Sequence, residues 1–331
     1  MSNPIGTLEK YNISQKDIQK LKDIGINTIQ GLYMTSRKSL LSIKGFTEKK
    51  IKSIFNEANK IETYGLFQKA TSFMNERNNK IFKISTNSHN LDQILNGGIE
   101  SGSITELIGE KSIGKTDLVH LISVVTQKNF PKNKILFIDF DNTFNPKKIT
   151  DFSKTLNLNK KKVLENITLI NNIEFFEEFM VKLDEISEKM QKREYCLIII
   201  ESLISIFQKL LEEKNKVCSQ ENKFNMKMDI ESKLGQVLIK LKNLALLFNV
   251  AVLITRRIND KDNVELNNIN DLNDLCIYDP NIDIILGNEC ITRFKFKRIK
   301  NGKIKCFVLN SPVLPEKYCK FIINEKGIFD C

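Results

Sequence analysis

The chain has 331 residues, 41% of them hydrophobic and 27% charged, enough apolar material for a large core and too much for a disordered polymer. No apolar run approaches the twenty or so residues that span a bilayer, and the N-terminus has no signal-peptide core, so neither membrane insertion nor secretion is expected. The formal net charge of +11 favours a polyanionic partner, and +7 of it falls in the first 80 residues. Seven cysteines without a C-x-x-C pair, and only two histidines, argue for free thiols and against a zinc site or chemistry built on several histidines.

Residues 6–60 read as short amphipathic helices. Ser14 is placed to cap a helix through Leu21, Gly25 ends it, and a second follows Asn27 and Thr28. Then LLSIKGFTE leads into a helix capped by Thr47 and running to about Lys60. An apolar residue, Lys44, Gly45 and another apolar residue before a capped helix form the pattern of a helix-hairpin-helix turn. Gly45 there lets backbone N–H groups approach a phosphate, and Lys49, Lys50 and Lys52 follow beside it. A plain three- or four-helix bundle gives much the same pattern.

Residues 61–83 read as a linker or short helix. From residue 84 on, apolar strands alternate with helices: ITELI, KILFIDF, YCLIIIE and VAVLIT, with helices notably at 174–192 and 231–248. Such strands imply an α/β core with a mostly parallel sheet covered on both faces. RFKFKRIKNGKIK is a hairpin turning at Asn301 and Gly302.

The sharpest motif is Gly109, Glu110, Lys111, Ser112, Ile113, Gly114, Lys115 and Thr116, a full G-x-x-x-x-G-K-T between a strand and a helix. Its glycines let the loop wrap so that N–H groups face phosphates. Lys115 reaches the β- and γ-phosphates of ATP and Thr116 holds Mg²⁺. An acid that holds Mg²⁺ through water belongs at the end of a neighbouring strand, where LIIIE offers Glu201. The acid that orients attacking water belongs to FIDFD, and Asp141, just past the strand, is better placed than Asp139.

SHNLDQILNGGIESGSITELIGEKSIGKT resembles the entry to the ATPase core of eukaryotic and archaeal RecA-like strand-exchange recombinases. GINTIQGLYMTSRKSLLSIKGFTEKKIKSI resembles their helix-hairpin-helix domain, and LNSPVLPEKYCKFIINEKGIFD their closing segment. MTSRKSL, DNTF and LIIIESLISIF look closest to the meiosis-specific branch. The resemblance implies three parts: a helix-hairpin-helix DNA-binding domain at 1–60, a linker with an oligomerisation motif at 61–83, and a RecA-like ATPase core at 84–331.

It also implies roles. Phe67 and Ala70 match an F-x-x-A motif that enters the neighbouring protomer, and Asn310 and Pro312 stand where the family caps ATP held by the adjacent subunit. The implied assembly is a non-closing, homo-oligomeric filament on single-stranded DNA, with duplex DNA as second substrate and the nucleus as its place.

Several positions depart from the family. Asp141 replaces a glutamate, Glu201 an aspartate, and Arg256 and Arg257 an Asn-Gln pair that senses the γ-phosphate. Arg257 becomes a candidate for neutralising developing charge. The first DNA loop, about 208–230, is long, and the second, about 259–288, is acidic. The departures point to slow ATP hydrolysis. Three readings remain: a DNA-dependent ATPase that exchanges strands, an ATP-binding relative that modulates another recombinase, and a phosphate-loop kinase or small-molecule ATPase, which the N-terminal and linker motifs disfavour.

Overall fold

In the computed structural model, the described residues are 3–61, 69–190, 194–215, 223–258, 280–299 and 302–331. They divide into two compact units. The first is built on residues up to Ile81, the second on those from Phe82, apart from short stretches at 182–190 and 247–249 that group with the first.

The first unit opens with a 3₁₀ turn at Ile5–Tyr11, followed by α1 (Gln15–Asp23), α2 (Ile29–Met34), α3 (Arg37–Leu41), α4 (Glu48–Ile61) and α5 (Ala70–Lys80). Polar side chains start the helices where expected. Ser14 accepts from the Asp17 amide at 3.2 Å, Thr28 from Gly31 at 3.0 Å and Thr47 from Lys50 at 3.3 Å. Ile5, Leu8, Leu21, Ile29, Leu40, Ile54 and Ala58 close a separate small core.

The second unit contains β1 (Lys83–Ile84), α6 (His89–Ile94) and β2 (Ile99–Glu100), with β1 and β2 paired by themselves. Then come β3 (Ile104–Gly109), α7 (Lys115–Asn129), β4 (Lys134–Asp139), α8 (Pro146–Thr155), α9 (Lys160–Glu165) and β5 (Ile167–Asn171). Next are α10 (Phe176–Met190), β6 (Tyr195–Glu201), α11 (Ile204–Asn215), α12 (Lys223–Phe248) and β7 (Ala251–Arg257). The chain closes with α13 (Pro280–Glu289), β8 (Thr292–Arg298), β9 (Ile304–Asn310), β10 (Tyr318–Asn324) and β11 (Gly327–Asp330).

One nine-stranded sheet organises this unit, in the order β11-β10-β9-β8-β3-β7-β6-β4-β5. Strands β8, β3, β7, β6, β4 and β5 run parallel, and β9 to β11 are an antiparallel extension. Every residue of β3 is buried, as the unbroken apolar runs require of a strand covered on both faces. Leu107, Phe137, Leu197, Leu253 and Phe294 face α7 and pack with Leu118, Leu121 and Ile122. Glu106 alternates with Leu107 and so points to the opposite face, where Asp283 of α13 stands in the same ion cluster.

Two sequence expectations need correcting. The helix expected at 231–248 begins at Lys223, and α11 continues to Asn215, so most of the expected first DNA loop is helical. Neither stretch holds a proline, and Gly235 sits inside α12 without ending it. Of the second loop, 259–279 lies outside the described residues and the remainder opens α13. The β8–β9 hairpin pairs as expected, with Lys297 opposite Lys305; Asn301 of its turn lies outside the described residues.

Candidate functional site

The phosphate loop leaves the end of β3, between β7 and β8. Gly114 caps α7 at φ +103°, a conformation that L side chains rarely adopt, and a Cβ there would meet Ile323 at 3.3 Å. Lys115 is nearly buried, and its Nζ donates to the Gly109 and Glu110 carbonyls at 2.7 Å each. Burial pushes its ammonium down to about 8; the Arg257 guanidinium adds to this, and the carboxylates of Glu201 and Glu110 oppose it.

Thr116 and Glu201 meet directly. The Thr116 hydroxyl donates to Glu201 Oε1 at 2.6 Å. Glu201 Oε2 is buried without a hydrogen bond among the described residues. Burial raises this carboxyl to about 7, against the pull of the Thr116 and Thr255 hydroxyls and of Lys115. A buried, underused carboxylate oxygen beside a threonine hydroxyl is a hard oxygen donor set, which suits Mg²⁺. The metal's remaining ligands would come from phosphates and water, and no cluster of three or more His, Cys, Asp or Glu gathers among the described residues.

The two acids of FIDFD separate cleanly. Asp139 is fully buried and accepts from the Phe144 amide at 2.6 Å and the Asp141 amide at 3.1 Å, so it shapes the following loop. Asp141 is exposed, past the end of β4. The adjacent arginines separate too. Arg257 is exposed at the end of β7, opposite Gly109, where its charge acts on Lys115. Arg256 turns inward and is buried. Its Nε donates to Glu106 Oε1 at 2.7 Å, and Arg293 donates to Glu106 Oε2 at 2.6 Å. Both guanidinium groups also reach Asp283. Arg256 therefore does not stand at the phosphates; it closes a four-residue ion cluster buried at all members but Asp283.

Three neighbours of the site escaped the sequence reading. Arg298, at the end of β8, donates to the Ser112 carbonyl within the phosphate loop. Lys209 of α11 donates to the Phe140 carbonyl at 3.2 Å. His120, on α7, bonds the Thr116 carbonyl and the Asn145 amide. For Arg298 and His120 the available signal was rarity, since the chain has seven arginines and two histidines; Lys209, among abundant lysines, carried none. A cavity of about 470 Å³ begins one residue past Thr116, lined by Asp117, Asn145, Lys148, Phe152 and Asn324 among others.

Asn310 and Pro312 are exposed at the other end of the sheet. Strand β9 starts opposite Arg298 on the phosphate-loop side and ends with Asn310 opposite Arg293. Six strand steps put Asn310 about 20 Å away along the sheet. They cannot touch this chain's own phosphate loop.

In the first unit, Gly45 has φ +90° and follows Lys44, whose carbonyl accepts from Lys20 Nζ at 2.7 Å. Lys44, Lys49 and Lys52 are exposed. Lys50 differs: its Nζ pairs with Asp17 Oδ1 at 2.8 Å and lies 5.7 Å from the Phe46 ring. Burial pushes the Asp17 carboxyl up, but Lys50 and Ser14 outweigh it and hold the group below its usual range. Lys50 is thus largely committed to folding. Of the linker motif, Phe67 lies outside the described residues, and Ala70 is exposed as the first residue of α5.

Comparison with known proteins covers nearly the whole chain. The family model described as Rad51 matches residues 77–331. The "Meiotic recombination protein DMC1/LIM15 homolog" of Mus musculus is 31% identical over 98% of this chain and 92% of its own length. The "DNA repair protein RAD51" of Mycosarcoma maydis is 31% identical over 99% of this chain and 92% of its own. The "Meiotic recombination protein DMC1" of Saccharomyces cerevisiae is 31% identical over 98% and 94%. Relatives named for meiotic recombination are 30–31% identical and those named for DNA repair 29–31%.

Proposed function

Because the chain belongs to the Rad51 family, we propose that it is an ATP-dependent DNA recombinase that coats single-stranded DNA and pairs it with a homologous duplex, in the nucleus, in meiotic recombination or double-strand break repair. The observation that carries the reading is the phosphate loop at the end of β3, flanked by Glu201 from β6 and Arg257 from β7.

Loop N–H groups and Lys115 bind the β- and γ-phosphates, and the nearby cavity receives the nucleoside. Thr116 and Glu201 would hold Mg²⁺, whose chemistry is to neutralise phosphate charge. Asp141 orients the attacking water and Arg257 offsets developing negative charge. Asn310 and Pro312, remote from their own loop, serve the ATP of an adjacent protomer, and Phe67 with Ala70 joins protomers. Lys44, Gly45, Lys49 and Lys52 contact duplex phosphates, with Lys50 holding the turn. The domain boundaries at 60 and 83 belong to the same reading.

Electron microscopy with single-stranded DNA and a non-hydrolysable ATP analogue tests it. Helical filaments are expected, lost in Phe67→Glu because a charge would be forced into an apolar pocket. A second reading, a relative that modulates another recombinase, is favoured by Arg256, which spends its side chain on Glu106 and Asp283. Monomers that join only filaments of another recombinase would select it.

A further inference from the structure

Asp141 stands on a loop, 140–145, whose backbone is held by buried side chains from two elements. Asp139 holds the amides of Asp141 and Phe144. The second is His120, fully buried on α7 four residues after Thr116. Its Nδ1 lies 2.6 Å from the Thr116 carbonyl oxygen, and its Nε2 lies 2.9 Å from the Asn145 amide nitrogen. A carbonyl only accepts and an amide N–H only donates, so the partners demand one tautomer, protonated on Nδ1 and bare on Nε2. The ring packs against Phe137 and Phe144, with centroids 5.7 and 5.5 Å away. One side of the imidazole is thus fixed to the first turn of α7, beside Lys115 and the Thr116 hydroxyl. The other is fixed to the cap of α8, where Asn145 Oδ1 accepts from Lys147 and Lys148.

We propose that His120 is a positioning residue, a spacer that sets the loop bearing Asp141 at a fixed distance from the phosphate-loop helix. The proposal rests on the reading that this site binds and hydrolyses ATP, and it deepens that reading. Misplacing a water-orienting group by about 1 Å costs roughly a hundredfold in rate, so a rigid link between Thr116 and Asn145 has a direct kinetic consequence.

The test uses the full chain. Only His89 and His120 exist, and His89 is exposed, so their ¹⁵N resonances are readily told apart. His120 is expected to show a protonated Nδ1 and a bare Nε2. The opposite tautomer overturns the proposal. In His120→Asn the amide can still serve Thr116 but leaves Asn145 without an acceptor, whereas the longer His120→Gln can offer Asn145 its oxygen. Turnover should fall about 10- to 100-fold in His120→Asn, with affinity for a fluorescent ATP analogue within about threefold of wild type. His120→Gln should recover most of the rate. Equal turnover in the two variants, or affinity falling in step with rate, overturns the proposal. If His120→Asn does not fold, amide exchange of the wild type decides: Asn145 must exchange at least tenfold slower than exposed loop amides, and fast exchange sinks the spacer. Failure of the underlying reading looks different, because Lys115→Ala would then bind the ATP analogue as tightly as wild type.

Discussion

Thr116 Oγ1 and Glu201 Oε1 lie 2.6 Å apart, joining the first turn of α7 to the end of β6, two places away in the sheet. Both groups belong to the machinery proposed for Mg²⁺, and they satisfy each other only in part, since Glu201 Oε2 has no hydrogen bond among the described residues. That imbalance has a pH signature.

The folded Glu201 carboxyl holds its proton up to about pH 7, against an ordinary value of 4.5. Its contribution to stability is full below pH 4.5 and is lost as pH rises to about 7, by roughly 3 kcal/mol in all. Glu201→Gln removes this dependence. In chelator, urea unfolding should show the variant gaining on the wild type between pH 4.5 and 7.5; parallel curves would refute the assignment.

Burial depresses Lys115 and the Arg257 guanidinium adds to it, so the two residues are linked in nucleotide binding. Wild-type ATP affinity should weaken above about pH 8, as Lys115 loses its proton. Arg257→Gln should move that limb to higher pH while weakening ATP binding at pH 7. Asp141 is one methylene shorter than the family's glutamate, and Asp141→Glu should raise turnover, by up to tenfold if placement is limiting. An unmoved basic limb, or slower turnover in Asp141→Glu, counts against these roles.

The Arg256–Glu106–Arg293–Asp283 cluster is buried at three of its four members. Arg256→Met leaves Glu106 with one cation, and breaking such a buried network costs about 3–5 kcal/mol. The urea midpoint should fall accordingly. A change below about 1 kcal/mol would mean that Arg256 is spared for another task.

Duplex binding should depend on Lys44, Lys49 and Lys52 but little on the charge of Lys50, which Asp17 already holds. Replacing the three exposed lysines with alanine should flatten the dependence of log affinity on log salt by nearly three, about 0.9 per lost phosphate contact. Lys50→Ala should leave that slope alone and lower stability. A salt slope unchanged by the triple substitution would move the duplex surface elsewhere.

Local chemistry made much of this molecule legible in its sequence. Ser14, Thr28 and Thr47 start helices because a hydroxyl three residues ahead of an amide is enough. Four apolar runs became β3, β4, β6 and β7 because only strands buried on both faces tolerate such composition. The phosphate loop follows from glycine spacing and from Lys115 and Thr116, all within eight residues. What the tertiary structure alone decided depends on pairs far apart in the chain. Arg256 and Arg257 are neighbours in sequence, yet strand alternation sends one to buried Glu106 and leaves the other beside Lys115. Lys50 looked like one more phosphate contact until Asp17, 33 residues earlier, claimed it. His120 carried no motif at all. Its place appears only when α7 packs against α8 and brings the Asn145 amide to a ring nitrogen that water cannot reach.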